Sequence, residues 1–459
     1  MSWPMSWSMT RFAGLRDFLM IWAGQLVSAI GSRLSSFALG IWVLRSTGST
    51  TQFALIYIAM DIPLLFVSPF AGALVDRWDR RRLMIACDSV CAITSLVLAA
   101  LLATDHLALW QVYIGVGLMS LCTAFHSPAF SASIPLLANA EQLPRVNGMV
   151  QTGNAAASII GPLVAGALVS LISLHGVLAV DALTFLVAVG ALLGARVPRP
   201  TRTAHQKEAS LLSEAAIGWR YVHERKGLLG LLLLEGFKGF VFAIASVLIM
   251  PLLLTFADSA QVGLQYAVSG GGLLLGGLLV TTFGAPERRA RGILWMTFIC
   301  GVFLAMHGLR PSYLLVVGAG LVMFVTFPMG AVMNASLWQR KVPADLQGRC
   351  FAIQQVLANA ATPLGFALAG ILSEQVFEPL LIEDGALAGS IGQWIGVGPG
   401  RGIGLMFILL GVMLMVAAAI AASVSAIRQA DDLPDAVEDG PEAEKAATVA
   451  MDTVDAMAR

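Results

Sequence analysis

GALVDRWDRR, residues 72–81, follows a long apolar run, and its first eight residues fall on GLLVTTFG at 277–284 when the chain is shifted by 205. The same shift lays Gly31-Ser32-Arg33 on Gly236-Phe237-Lys238, and a shift of 204 lays Arg145 on Arg349, Gly161 on Gly365 and Gly166 on Gly370. Three segments in one order at nearly one offset mark an internal duplication. Around these anchors, stretches of about 20 mostly apolar residues occur at 18–44, 52–75, 83–103, 107–131, 146–171, 175–195, 228–256, 262–283, 291–309, 312–337, 349–374 and 402–427. They make twelve spans, six per repeat. Lipid offers the backbone no hydrogen-bond partner, so stretches of this length must be helices. The sequence predicts an all-α membrane protein with twelve transmembrane helices in two six-helix, pseudo-symmetric bundles.

Composition points the same way. Of 459 residues, 57% are hydrophobic and 12% charged, with a mean hydropathy of +0.80, whereas about a quarter of the residues of a soluble domain are charged. The formal net charge of zero gives no ground for a nucleic-acid partner. The five cysteines are too scattered for a disulfide framework. Cys87 and Cys91, at i and i+4, either bind metal or pack within the membrane, and packing is the reading adopted here. Met1 to Thr10 holds Trp3, Pro4 and Trp7 and no basic n-region before the first long apolar run. The first span is therefore expected to be retained, not cleaved as a signal, with Trp3 and Trp7 at the membrane interface.

Charge sets the direction. The connections after spans 2, 4, 6, 8 and 10 carry eighteen Lys and Arg, and the opposite face carries only Arg45, Arg310 and Arg401. The positive-inside rule then places both termini in the cytoplasm. The organisation read from this is a first bundle at 1–195, a cytoplasmic connecting loop at 196–227, a second bundle at 228–428 and an acidic, disordered cytoplasmic tail at 429–459. Within the loop, Leu211, Ala215, Trp219 and Val222 recur at helical spacing among basic residues, which predicts a short interfacial helix.

Gly72, Asp76, Arg77, Arg80 and Arg81 in GALVDRWDRR resemble the signature of the loop between helices 2 and 3 in the major facilitator superfamily. Gly161, Pro162 and Gly166 in GPLVAG resemble the helix 5 motif of its antiporters, at the same span. The resemblance covers about residues 15–428, and Asp181-Ala182-Leu183-Thr184-Phe185 in span 6 is similar to the branch holding macrolide-efflux proteins and the enterobactin exporter. It implies alternating access between two bundles, proton antiport, and a gating role for Asp76, which approaches span 11 near Gly348 when the cytoplasmic side is shut. There are departures: Asp79 stands at the signature's second glycine, Thr281 replaces the aspartate in the second repeat, and span 4 lacks the membrane arginine of many drug/proton antiporters.

A charge at the bilayer centre costs some ~2.5–3.5 kcal/mol on insertion scales unless it is paired or hydrated. Arg33, Asp61, Glu235 and Lys238 are therefore the informative residues. Arg33 lies 15 residues after Phe18 and Asp61 lies 15 before Asp76, which sets both about 22 Å from the cytoplasmic side at 1.5 Å per residue. Asp61 either takes up and releases a proton, or forms a standing ion pair with Arg33 that holds spans 1 and 2 together. Glu235 is the second proton-coupling candidate. Lys238, the repeat partner of Arg33, either faces the cavity or pairs with Glu235, and cavity exposure is the expectation. Asp88 and Asp181 lie five or six residues from span ends and are expected at the interface. Gln25, Asn154, Gln265, Tyr266, Asn334, Gln355 and Asn359 complete the candidate cavity lining, a sparse polar set on apolar walls that suits an amphipathic guest.

The glycine run at 270–272 and 276–277 lies within a span and lacks the context of a phosphate-binding loop, so close helix packing explains it. With no nucleotide motif, metal cluster or nucleophile elbow in the sequence, neither an enzyme nor a cofactor is expected, and a proton gradient is the expected energy source. The expected function is export of a small amphipathic molecule, such as a drug, siderophore or secondary metabolite, from a bacterial cytoplasm by a monomer in the inner membrane. Two alternatives stand beside it: a lysophospholipid or lipid transporter or flippase, and a non-transporting membrane sensor that uses the acidic tail.

Overall fold

Helices run α1 Arg16–Thr47, α2 Thr50–Val75, α3 Arg80–Ala103, α4 Leu109–Leu137, α5 Leu143–Leu171, α6 Ser173–Gly194, α7 Leu211–Glu224, α8 Lys226–Leu254, α9 Ser259–Phe283, α10 Arg289–Leu309, α11 Tyr313–Lys341, α12 Ala344–Ala360 and α13 Thr362–Leu372. Two short helices, α14 Glu378–Leu380 and α15 Gly392–Ile395, precede α16 Arg401–Ser423. The structure is a computed structural model that describes residues 15–75, 78–139, 142–197, 211–284, 286 and 288–434. Trp3, Trp7, Asp76 and Arg77, the segment 198–210 and the tail from 435 lie outside the described residues. Among the described residues no strand occurs, and twelve helical runs are long and apolar enough to cross a membrane.

Several helices outrun their apolar stretches by one or two turns, as α4 and α11 do at their C-terminal ends, because a helix continues where the chain enters the polar headgroup zone. The eleventh span departs from expectation. It is read from the sequence as one helix but is broken between α12 and α13 at Ala361, just before Pro363. Proline has no N–H to bond the carbonyl four residues back, and its ring crowds that carbonyl.

The packing follows the repeat. In the first half α1 lies on α5 and α6, α3 on α4 and α6, and α2 on α4; in the second, α8 lies on α12, α13 and α16, α10 on α11 and α16, and α9 on α11. Each pairing has its counterpart in the other half. Across the halves, α5 packs on α9 and α2 on α13.

One large apolar core spans both halves at the end where α1 turns into α2, joining Phe37 and Ile41 to Phe53, Val247, Leu248 and Phe407. At the opposite end each half keeps its own cluster, around Phe18, Met84 and Leu192 in the first and around Leu231, Ile293 and Leu337 in the second. The two halves are thus fused at one end by apolar burial, and at the other their cores stay separate.

Glycines set the closest approaches. A Cβ on Gly166 of α5 would sit 2.6 Å from the Ser259 carbonyl oxygen of α9, and one on Gly270 would sit 2.5 Å from Ile159. Within the second half, a Cβ on Gly272 would sit 2.7 Å from the Leu321 carbonyl, whereas Gly277 has nothing within 4 Å. The glycine run of α9 therefore seats it between α5 and α11. A Cβ on Gly308 of α10 would overlap the Gly404 carbonyl of α16. Overpacking a core costs about 1–3 kcal/mol, while alanine in place of an open helical glycine gains roughly 0.5–1 kcal/mol. Gly308→Leu should lower the thermal transition of the purified protein in detergent by several degrees, and Gly277→Ala should leave it unchanged or raise it. Equal transitions for the two variants would contradict the α10–α16 contact.

Candidate functional site

The basic cluster after α2 serves the first half as a set of helix-end clamps. Arg81 donates to the Leu192 and Leu193 carbonyls at the C-terminal end of α6, both at 2.7 Å, and Arg80 Nη1 donates to the Ala132 carbonyl of α4 at 2.6 Å. The Leu192 and Leu193 oxygens belong to the last turn of α6, which lacks intrahelical donors and attracts cations. Asp79, which stands in the signature's glycine position, accepts from the Arg82 N–H at 3.1 Å and so caps α3.

The helix 5 motif is a junction. A Cβ on Gly161 would overlap Arg33 Cβ of α1, and the Pro162 carbonyl faces Gly263 of α9 so closely that a Cβ there would overlap it. At the same end of the molecule Arg45 Nη2 donates to Ser259 Oγ at 2.8 Å. The Thr51 N–H and hydroxyl donate to the Glu374 carboxylate at 3.0 and 2.6 Å. Each of these bonds joins the two halves.

Beyond this closed end lies a cavity of about 610 Å³, formed almost wholly by α1 to α6, with Phe366 of α13 also in its wall. Arg33, Asp61, Gln25 and Asn154 line it. Arg33 and Asp61 face the same space, yet neither has a hydrogen-bond or ion-pair partner among the described residues. The standing Arg33–Asp61 pair that the sequence left open is therefore not formed in this structure. Around Asp61, Pro63 removes the N–H that would bond the Ala59 carbonyl, and Ser120 of α4 donates to the neighbouring Met60 carbonyl.

Asp88 corrects an expectation. It was placed at the interface, but it is buried on α3 and lines the cavity, accepting from Gln25 Nε2 at 2.8 Å and lying 3.4 Å from His126 Nε2 of α4. Asp181 was placed likewise and is fully buried, accepting from Ser95 Oγ at 2.7 Å in the seam of α3 and α6, beside Gly31 of α1. Both helices start earlier than their apolar stretches, so each carboxylate lies eight residues in, about 12 Å from the helix end. Cys87, Cys91 and Cys122 line the cavity beside Asp88, and no group of three or more His, Cys, Asp or Glu among the described residues has a metal-holding arrangement.

The second-half candidates divide. Gln265 and Tyr266 line a smaller cavity of about 140 Å³ between α2, α8, α9, α10, α11 and α16. Lys238, Glu235, Asn334, Gln355 and Asn359 line neither cavity. Lys238 Nζ is bound to Glu235 Oε1 at 2.7 Å and lies 5.9 Å from the Phe327 ring centroid, so its expected cavity exposure is replaced by an internal pair. Asn334 accepts from Trp338 Nε1 at 3.1 Å, and Asn359 donates to the Gln355 carbonyl at 3.0 Å along its own helix. Sequence reasoning missed Tyr57 and His307. Tyr57 lines both cavities, and its only signal in the sequence was a hydroxyl four residues before Asp61.

The Major Facilitator Superfamily family model matches residues 21–373. Macrolide efflux protein A of Streptococcus pyogenes is 28% identical over 363 residues, covering 78% of this chain and 90% of that protein. The protein of the same name from Enterococcus faecalis is 29% identical over 308 residues, covering 66% and 95%. Multidrug efflux pump Tap of Mycobacterium tuberculosis is 27% identical over 377 residues, covering 78% and 87%. A bacterial homologue of the iron transporter ferroportin in its inward-facing state superposes with a TM-score of 0.65 at 14% identity, covering 91% of this chain and 99% of that one. A bacterial homolog of the human lysosomal transporter Spinster, inward-facing and unoccupied, gives 0.68 at 16% identity, covering 91% and 97%. These two likenesses bear on the fold alone. With the duplicated six-helix bundles, the helix 5 junction and a family match over most of the sequence, the chain belongs to the Major Facilitator Superfamily of membrane transporters.

Proposed function

We propose that this transporter exports small amphipathic molecules, macrolide-like drugs among them, from a bacterial cytoplasm by proton antiport, with both termini on the cytoplasmic side of the inner membrane. The observation that carries the reading is the pair of opposite charges, Arg33 and Asp61, that face one largely apolar cavity without neutralising each other. An unpaired carboxylate at this depth costs some ~2.5–3.5 kcal/mol, and a bound proton removes that cost. Rocking the bundles brings Asp61 toward water or toward Arg33, and either favours the carboxylate again. Proton uptake in one state and release in the other is what antiport requires. The efflux relatives support export, and the mix of Met60, Leu64, Met119 and Phe130 with few polar groups supports an amphipathic guest.

The charge bias of the connections supports the orientation. It gives a labelling test at exposed positions outside the cavity: Asp105→Cys, between α3 and α4, should react with impermeant maleimide on intact cells, and Asn139→Cys, after α4, should react only after permeabilisation. Ser259, though on the same face as Asp105, is a poor reporter because it is buried against Arg45. The opposite labelling pattern would reverse the orientation.

Asp61→Asn keeps the cavity's shape but cannot cycle a proton. In proteoliposomes it should abolish pH-gradient-driven accumulation of erythromycin, while equilibrium binding changes by less than about threefold and downhill exchange persists. If Asp61→Asn still accumulates erythromycin against its gradient, coupling passes to Asp88, the other carboxylate in the lining. If the wild type neither binds nor moves erythromycin, the assignment of the substrate class fails.

A further inference from the structure

The smaller cavity lies on the far side of Tyr57 from the larger one. Its walls are apolar, with Phe242, Leu304, Met323 and Phe407 among them, and its volume of about 140 Å³ is close to the roughly 150 Å³ that accepts one benzene ring. Two polar side chains in the lining are almost completely buried. His307, 2% exposed, has Nδ1 2.8 Å from the Phe303 carbonyl of its own helix and stacks on Phe407 with ring centroids 5.5 Å apart. A nitrogen facing a carbonyl carries the proton, so Nε2 is left as an acceptor in the cavity lining. Gln265, 3% exposed, directs Nε2 toward Ser269 Oγ and the Val316 carbonyl at 3.3 and 3.5 Å, and its Oε1 has no donor. A buried acceptor without a donor, as at Gln265 Oε1, is costly, and a ligand that supplies a hydrogen relieves that cost. The lining holds no carboxylate, so an ammonium group would find no counter-charge there.

We propose that the smaller cavity is a binding site for a single neutral ring bearing a hydroxyl or un-ionised amine, whose hydrogen is given to His307 Nε2 or Gln265 Oε1. The ring arrives either as a free small molecule or as a substituent of a guest in the larger cavity, and only the second source rests on the transport reading. Tyr57 separates the two spaces. Its hydroxyl donates to the Ser246 carbonyl across the halves at 3.3 Å, and its ring lies 5.2 Å from that of Phe366, so a substituent enters only when Tyr57 turns aside.

Fluorine NMR of the full chain in lipid nanodiscs tests the site without any transport assay, using 4-fluorophenol as the probe and fluorobenzene as the apolar control. The expected result is a saturable bound signal for 4-fluorophenol. His307→Leu should weaken it about two- to tenfold, the range of one hydrogen bond, and should leave fluorobenzene unaffected. Ala245→Leu, which fills the cavity from α8 without touching a polar group, should weaken both probes. Displacement of bound 4-fluorophenol by 4-octylphenol, whose tail must pass Tyr57, assigns the ring to a substituent of a larger guest; retention restricts the site to free rings. A signal that never saturates, or one undiminished in Ala245→Leu, would mean partition into lipid and a cavity that holds water alone. That outcome overturns the proposal even if His307→Leu fails to fold.

Discussion

The contact of α5 with α9 at Gly166 and Gly263 is what the rest of the structure depends on. Two helix backbones meet there with no side chain between them, so dispersion and the Arg45–Ser259 and Thr51–Glu374 hydrogen bonds act over short distances in a medium where water cannot compete. The joint fuses the halves at one end only. At the other end the two bundles keep separate cores, and the larger cavity opens among the helices of the first. A side chain on either glycine would push the bundles apart where they are now closed. The helix 5 motif is therefore best understood as a hinge surface whose chemistry is the absence of Cβ atoms.

The same economy governs the charges. Arg81 satisfies carbonyls at the end of α6, Arg80 ties α3 to a carbonyl of α4, Asp79 caps α3, and Glu378 accepts from the Gly400 and Ile403 N–H groups at the start of α16. Lys341 reaches the carbonyls of Asp431 and Leu433 while the Asp431 carboxylate caps α10, which fastens the residues just before the acidic tail to the second half. These ionisable groups thus do structural work that the bilayer makes worthwhile, since each orphaned backbone group near hydrocarbon costs more than in water. Against that background, a charge with no such task, as at Arg33 and Asp61, stands out.

The fold was legible in the sequence because the duplication and the apolar spans are both long-range patterns, insensitive to errors of a few residues. The site was legible only where depth could be counted correctly. Asp61 and Arg33 sit well inside their spans, and no plausible shift of a boundary moves them to the surface. Asp88 and Asp181 were misplaced because a helix begins before its apolar stretch does, by three residues at α3 and two at α6, and that shift is the difference between interface and interior. Lys238 failed for another reason. Repeat symmetry places a backbone position but says nothing of a neighbour three residues away, and Glu235 decides where the ammonium goes.

That last point separates the two halves chemically. The shift of 205 that lays Arg33 on Lys238 lays Ile30 on Glu235 and Asp61 on Tyr266. The first half therefore has a cation without its neutralising acid and an acid in the cavity; the second has a cation already paired and a phenol where the acid would be. The larger cavity has the carboxylates Asp61 and Asp88 in its lining, whereas the smaller cavity has no carboxylate and a single imidazole, His307. In the proposed antiport, carboxylates confined to the larger cavity let a single proton bias the relative motion of the two bundles. A symmetric arrangement would need both halves to titrate together, at twice the desolvation cost for the same displacement.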